Sequence, residues 1–117
     1  MAQFKFILWL AYWYLQNDDF AFEWDIGNST KSLRKHGVST LEVESLFNLK
    51  LGVPIGRQIS PPVDEERLNI VGPTEKGRMI SVVFTLREGK VRPISSRPAS
   101  RKEKTLYEKI RQTLEGI

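Results

Sequence analysis

Five arginines, Arg67, Arg78, Arg87, Arg92 and Arg97, fall on or beside consecutive stretches that read as β-strands. In an antiparallel array, residues of like parity line one face, so several of these guanidiniums can converge. Arginine suits phosphate because its charge is permanent and its planar fork reaches two oxygens at once. The chain has one histidine, His36, the side chain type whose charge ordinarily changes near neutral pH. These residue types together fit RNA cleavage by the RNA's own 2′-hydroxyl. That reaction needs a proton acceptor, a proton donor and cations against the phosphorane. The expected phosphate-gripping set is Arg67, Arg78 and Arg97, on the face opposite Ile80 and Phe84, with His36 moving the proton. Lys35, Arg87, Arg92, Arg101 and Lys102 extend a basic surface suited to an RNA backbone. A histidine beside Gly37 equally suits a helix C-terminal cap, and strand arginines are often merely solvated. By residue type alone, the chain is a basic, phosphate-seeking domain.

Those side chains need elements to hold them. Phe22–Asp25 reads as a short strand whose aspartate can cap a helix over Ile26–Lys35, closed by Gly37. Ser39-Thr40-Leu41-Glu42 is a capping box opening a second helix with Leu41, Val43, Leu46 and Phe47 as its apolar residues. Leu49–Ile55 is a strand that Gly52 and Pro54 place at an edge, and Gly56–Asp64, with Pro61-Pro62, is a loop. Glu66–Val71, Arg78–Leu86 and Lys90–Arg97 follow as strands. Between them lie a polar turn ending at Gly77 and a turn at Glu88-Gly89. Ile80, Val82, Phe84 and Leu86 line one face of the best strand and demand a covering layer, leaving the odd face for a site. Pro93 predicts a bulge or an edge. Ser100–Glu103 is a second capping box, opening a helix with the stripe Leu106, Tyr107, Ile110 and Leu114. The order predicts an α+β domain of about four antiparallel strands with helices packed on one face.

At 117 residues and 13.5 kDa the chain is long enough for one modest core. It has no cysteine, which excludes disulfides, thiolate zinc sites and cysteine nucleophiles, and one histidine excludes an all-histidine metal site. No P-loop, Rossmann fingerprint or serine-hydrolase elbow is present; neither metal nor cofactor is expected. The net charge of +4 is concentrated. Residues 1–86 hold nine Lys/Arg against ten Asp/Glu, whereas residues 87–117 hold nine against four, a net of +5. Such a field suits an anionic partner. Phe4 to Leu15 is apolar and aromatic apart from Lys5, yet shorter than the roughly 20 residues a bilayer requires. No small-residue cleavage site follows it. Residues 1–20 are therefore expected as an N-terminal extension that packs on the core or on a partner, ahead of a single domain over residues 21–117. No membrane association is expected, and the cytoplasm is the expected compartment.

Phe22-Glu23-Trp24-Asp25 followed by Leu33-Arg34-Lys35-His36-Gly37-Val38-Ser39 is similar to the opening signature of the BrnT toxins of type II toxin–antitoxin systems. Glu65-Glu66-Arg67, Val71-Gly72, Gly77-Arg78, Val82-Val83-Phe84-Thr85 and Arg92 to Ala99 follow in the family's order, completed by Glu103 and Tyr107. The resemblance implies a RelE-like antiparallel sheet packed by two N-terminal helices and a C-terminal helix. It also implies a metal-independent, cofactor-free endoribonuclease that halts translation. The implied partner is a BrnA-like ribbon-helix-helix antitoxin, through which the complex meets operator DNA; an acidic antitoxin segment would cover a basic, partly apolar surface. The chain departs from the family's usual residues at Ile26, at Ser32 and near Pro61, where a loop histidine is common. The alternative reading is a catalytically impaired homologue that binds antitoxin and tunes transcription.

Overall fold

In a computed structural model, residues 12–17, 19–60 and 65–115 are described. They form α1 (Ile26–His36), α2 (Thr40–Leu49), β1 (Val53–Ser60), β2 (Glu65–Pro73), β3 (Met79–Arg87), β4 (Lys90–Pro98) and α3 (Arg101–Glu115). Every neighbouring strand pair is antiparallel, in the order β1-β2-β3-β4. At the β3–β4 turn, Glu88 and Gly89 both have positive φ, 53° and 78°, as a two-residue type I′ hairpin loop requires.

Strand alternation splits the sheet into two faces. Leu68 and Ile70 of β2 join Ile80, Val82 and Phe84 of β3 beneath Val43, Leu46 and Phe47 of α2. Burying each such side chain contributes about 1.5–3 kcal/mol. Leu86 packs against the same cluster from a less buried place, so the even face of β3 is covered as expected. Tyr14 also enters this core, its hydroxyl donating to the Leu46 carbonyl and accepting from the Gly52 amide at 3.1 Å. Trp13 stacks on Phe84. Val71, one residue beyond Ile70, must point the other way; it packs with Val53, Ala99 and Tyr107 in a second cluster. Helices therefore cover both faces, not one. α3 takes the odd face because Val71, Val53 and Met79 give Tyr107 and Ile110 an apolar seat there.

Local departures from the expected elements have equally physical causes. β1 begins at Val53, not Leu49, because Leu49 ends α2 and Lys50 caps it in the left-handed conformation. It extends to Ser60 because Arg57 to Ser60 pair with Leu68 to Glu65 in a hairpin; the expected loop shrinks accordingly, and Pro61 lies outside the described residues. β1 is an edge strand, with a bulge between Pro54 and Gly56. A matching shift opposite Val83 and Phe84 leaves Ile94 unpaired, next to Pro93. Phe22–Asp25 forms no strand. It makes one parallel bridge, Phe22 to Val91, with the Glu23 amide and Ala21 carbonyl bonded to Val91. α1 continues along the same edge: Asn28 donates to the Pro93 carbonyl at 3.0 Å, and the Ser32 hydroxyl accepts from the Ser96 amide at 3.0 Å. The open edge of β4 is thus satisfied by polar groups of the preceding segment. Leu106, expected in the apolar stripe of α3, is 37% exposed. Among the described residues, no helix is long and apolar enough to cross a membrane.

Candidate phosphate-binding face

α3 starts almost where β4 ends, and its cap brings a carboxylate onto the sheet. The Ser100 hydroxyl accepts from the Glu103 amide at 3.1 Å, while the Ser100 amide donates to Glu103 Oε1 at 2.9 Å. Arg97, paired in register with Ser81, reaches the same carboxylate through both ends of its fork. Nη1 lies 2.7 Å from Oε1 and Nη2 2.8 Å from Oε2. Ser81 Oγ is 3.0 Å from both Glu103 Oε2 and Asn69 Oδ1. Burial by itself would raise the Glu103 carboxyl. The bonds from Arg97, the Ser100 amide and Ser81 outweigh it and hold the pKa at about 2. Glu103 is an anchored anion that orients Arg97, not a proton donor near neutral pH.

Arg67 shares strand parity with Asn69 and so points to this same face. Its Nε is buried and has no hydrogen-bond partner among the described residues. A buried donor without an acceptor is costly, and here it lies on a face already laid with Asn69, Ser81 and a fixed guanidinium. Arg67 and Arg97 thus stand as expected, opposite Ile80 and Phe84.

Arg78 does not join them. It precedes β3 and binds the fully buried Glu42 of α2, with Nε 2.8 Å from Oε2 and Nη2 2.6 Å from Oε1. Nη2 also donates to the Gly37 carbonyl at the end of α1, and Thr74 Oγ1 donates to Glu42 Oε2 at 3.0 Å. A carboxylate drawn into the core needs such a partner. Arg78, then Thr74, hold Glu42 below the ordinary carboxylate range against its burial. Glu42 consequently does not turn back to the Ser39 amide; Ser39 caps α2 through its own hydroxyl alone. The expected three-arginine cluster is therefore a pair plus a separate clamp on the α2 side. His36 is exposed at the end of α1, where Gly37 adopts the left-handed cap. No described contact joins His36 to Arg67 or Arg97.

The remaining cations divide by role. Arg92 is engaged, 2.6 Å from Asp25 Oδ2 and 3.2 Å from Glu23 Oε1, and Arg87 lies 3.8 Å from Glu23. These pairs fasten the segment leading into α1 to the β3–β4 hairpin. The Asn28 amide, then Arg92, keep the Asp25 carboxyl below its usual range. Lys35 is exposed in the last turn of α1. Arg101 and Lys102 are exposed at the start of α3, lining an open cleft of about 540 Å³ with Thr105, Leu106 and Lys109. Asn69, Ser81 and the site role of Glu103 were not legible in the residue pattern. For Asn69 and Ser81 the signal was faint: polar residues of the same odd parity as Arg67, set between apolar strand neighbours.

A family model described as the ribonuclease toxin, BrnT, of type II toxin–antitoxin systems matches residues 24–103. The match begins at Trp24 and ends at Glu103, the carboxylate that holds Arg97. No curated protein matches the chain.

Proposed function

The chain belongs to the BrnT family of ribonuclease toxins of type II toxin–antitoxin systems, and from that premise we propose that it cleaves RNA on the α3 side of its sheet, with Arg67 and Arg97 holding the phosphate. The observation carrying this reading is the Arg67 Nε, buried and unpartnered on the face where Arg97 is fixed by Glu103. A phosphate oxygen is the acceptor that this donor lacks. In the reaction, the substrate's 2′-oxygen bonds to phosphorus while the bond to the 5′-oxygen breaks. The 2′-hydroxyl proton leaves to a base and the 5′-oxygen gains one. The products are a 2′,3′-cyclic phosphate and a 5′-hydroxyl. The two guanidiniums offset the charge that grows on the equatorial oxygens, which supports a reaction independent of metal. Arg78 is proposed for a flanking phosphate, whereas His36, exposed at the end of α1 with no described contact to the pair, carries no proton-transfer role at this face.

Cutting RNA in this way arrests translation in the cytoplasm. The family pairs each toxin with an antitoxin, here proposed to be BrnA-like, with a ribbon-helix-helix domain that takes the complex to operator DNA. The test is cleavage of a labelled RNA, with and without chelator, by the wild type and by Arg67→Ala, Arg97→Ala and His36→Ala. Cleavage that survives chelation and falls in both arginine variants is expected. Full activity in both overturns the site.

A further inference from the structure

α1 carries its polarity reversed. Its two large apolar side chains, Ile26 and Leu33, both face solvent, 88% and 53% exposed. A helix lying on an apolar core buries such residues; α1 docks instead through Ser32, its one buried residue, and Asn28. The cause is the surface beneath it. The edge of β4 offers amides and carbonyls, so the helix turns polar groups inward and its apolar residues outward. Seven residues apart, Ile26 and Leu33 lie on one side of the helix, about 10 Å apart along its axis. The same helix carries Lys31, Arg34 and Lys35 and no aspartate or glutamate.

We propose that this outward face of α1 receives an acidic amphipathic helix of a partner protein. Apolar residues two turns apart on that helix would seat against Ile26 and Leu33, and its carboxylates would answer Arg34, which flanks the apolar pair, and Lys31 at the rim; Lys35, half a turn round from Ile26, points away from this face. Complementary charge steers such an encounter and fixes its orientation, and the apolar pair supplies the anchor at its centre. This inference rests on the toxin–antitoxin reading, in which the partner is the antitoxin, and adds where it grips. The grip lies along the β4 edge rather than on the face of Arg67 and Arg97, so tight binding does not require the partner to fill the phosphate site.

The probe is a synthetic peptide of about 18 residues, long enough to hold a helix, with leucines at helical spacing and glutamates elsewhere; a lysine version is the control. Binding to the full chain is read by fluorescence anisotropy at rising salt. The glutamate peptide should bind, weaken with salt, and lose about tenfold or more in affinity to an Ile26→Ser, Leu33→Ser double variant. RNA cleavage by that variant should match wild type. Equal binding of both peptides, equal binding by the double variant, or displacement of the peptide by RNA overturns the proposal. So does sedimentation showing that wild type dimerises through this face while the double variant is monomeric. Retained peptide binding with no RNA cleavage by wild type leaves this proposal standing and removes the catalytic reading.

Discussion

Arg67 and Arg97 share a face but differ in what already holds them, and that difference makes their removal distinguishable. No described residue satisfies the Arg67 Nε, so Arg67→Ala should lower kcat/KM for RNA about 10- to 100-fold, the worth of one charge-assisted contact of roughly 1.5–3 kcal/mol, while thermal stability changes little. Arg67→Lys should recover only part of this, since an ammonium lacks the planar fork. Arg97→Ala strips the Glu103 carboxylate of two bonds; it should lose activity and also about 1–3 kcal/mol of stability, measured by urea unfolding. Glu103 brings a pH signature. Its folded pKa of about 2 lies below its ordinary 4.5, so its contribution is fully present above about 4.5 and fades as pH falls toward 2. Glu42 and Asp25 are shifted in the same direction. Melting temperature should therefore drop on acidification through this window, and Glu103→Gln should flatten that limb; an unchanged limb counts against the anchored carboxylate.

Among the elements, a close backbone approach occurs where the chain enters β1 beside the end of β2. A Cβ added at Gly72 would stand 2.5 Å from Gly52 Cα and 2.6 Å from Leu46 Cδ1. Backbone on one side and a fully buried leucine on the other leave no room to relax, so Gly72→Ala should destabilise by about 1–3 kcal/mol in denaturant unfolding. Gly77 is the contrast: nothing lies within 4 Å of its Cβ position, but φ is +81°, and the cost there is backbone strain of about 1 kcal/mol. Capping shows how far local reading reaches. Ser100 and Glu103 close their box as their spacing implies. Ser39 and Glu42 have the same spacing, yet Glu42 is drawn into the core by Arg78, 36 residues away. Spacing is local, and the competing guanidinium is not.

Across the whole molecule, residues 87–117 carry the net positive charge, and on the proposed reading Arg101 and Lys102, exposed at the start of α3, add to the field that draws RNA to Arg97. Each phosphate contact on a single strand adds about 0.7 to the slope of log affinity against log salt. Lys102→Ala should therefore weaken RNA binding, reduce that slope by about 0.7, and leave kcat at saturating RNA unchanged, as titrations at several salt concentrations would show. A variant that lowers kcat instead would place Lys102 in the chemistry.

The sequence by itself determined β2, β3 and β4, the Asp25, Gly37 and Ser100 caps and the burial of Ile80, Val82 and Phe84, because period-two alternation and capping residues act over a few neighbours. It also placed Arg67 and Arg97 opposite that core through parity, and it carried the family resemblance. Only the tertiary structure decided which face α3 would cover, since Val71 and Met79 looked no different from other odd-face residues until Tyr107 and Ile110 packed on them. It separated Arg78 from the other two arginines, because a buried carboxylate on α2 binds its guanidinium. It also turned Ile26 and Leu33 outward, because α1 packs on a strand edge whose unpaired backbone groups demand polar partners. Pairings between residues far apart in the chain depend on which surfaces meet, and the spacing of residues along one segment does not specify that.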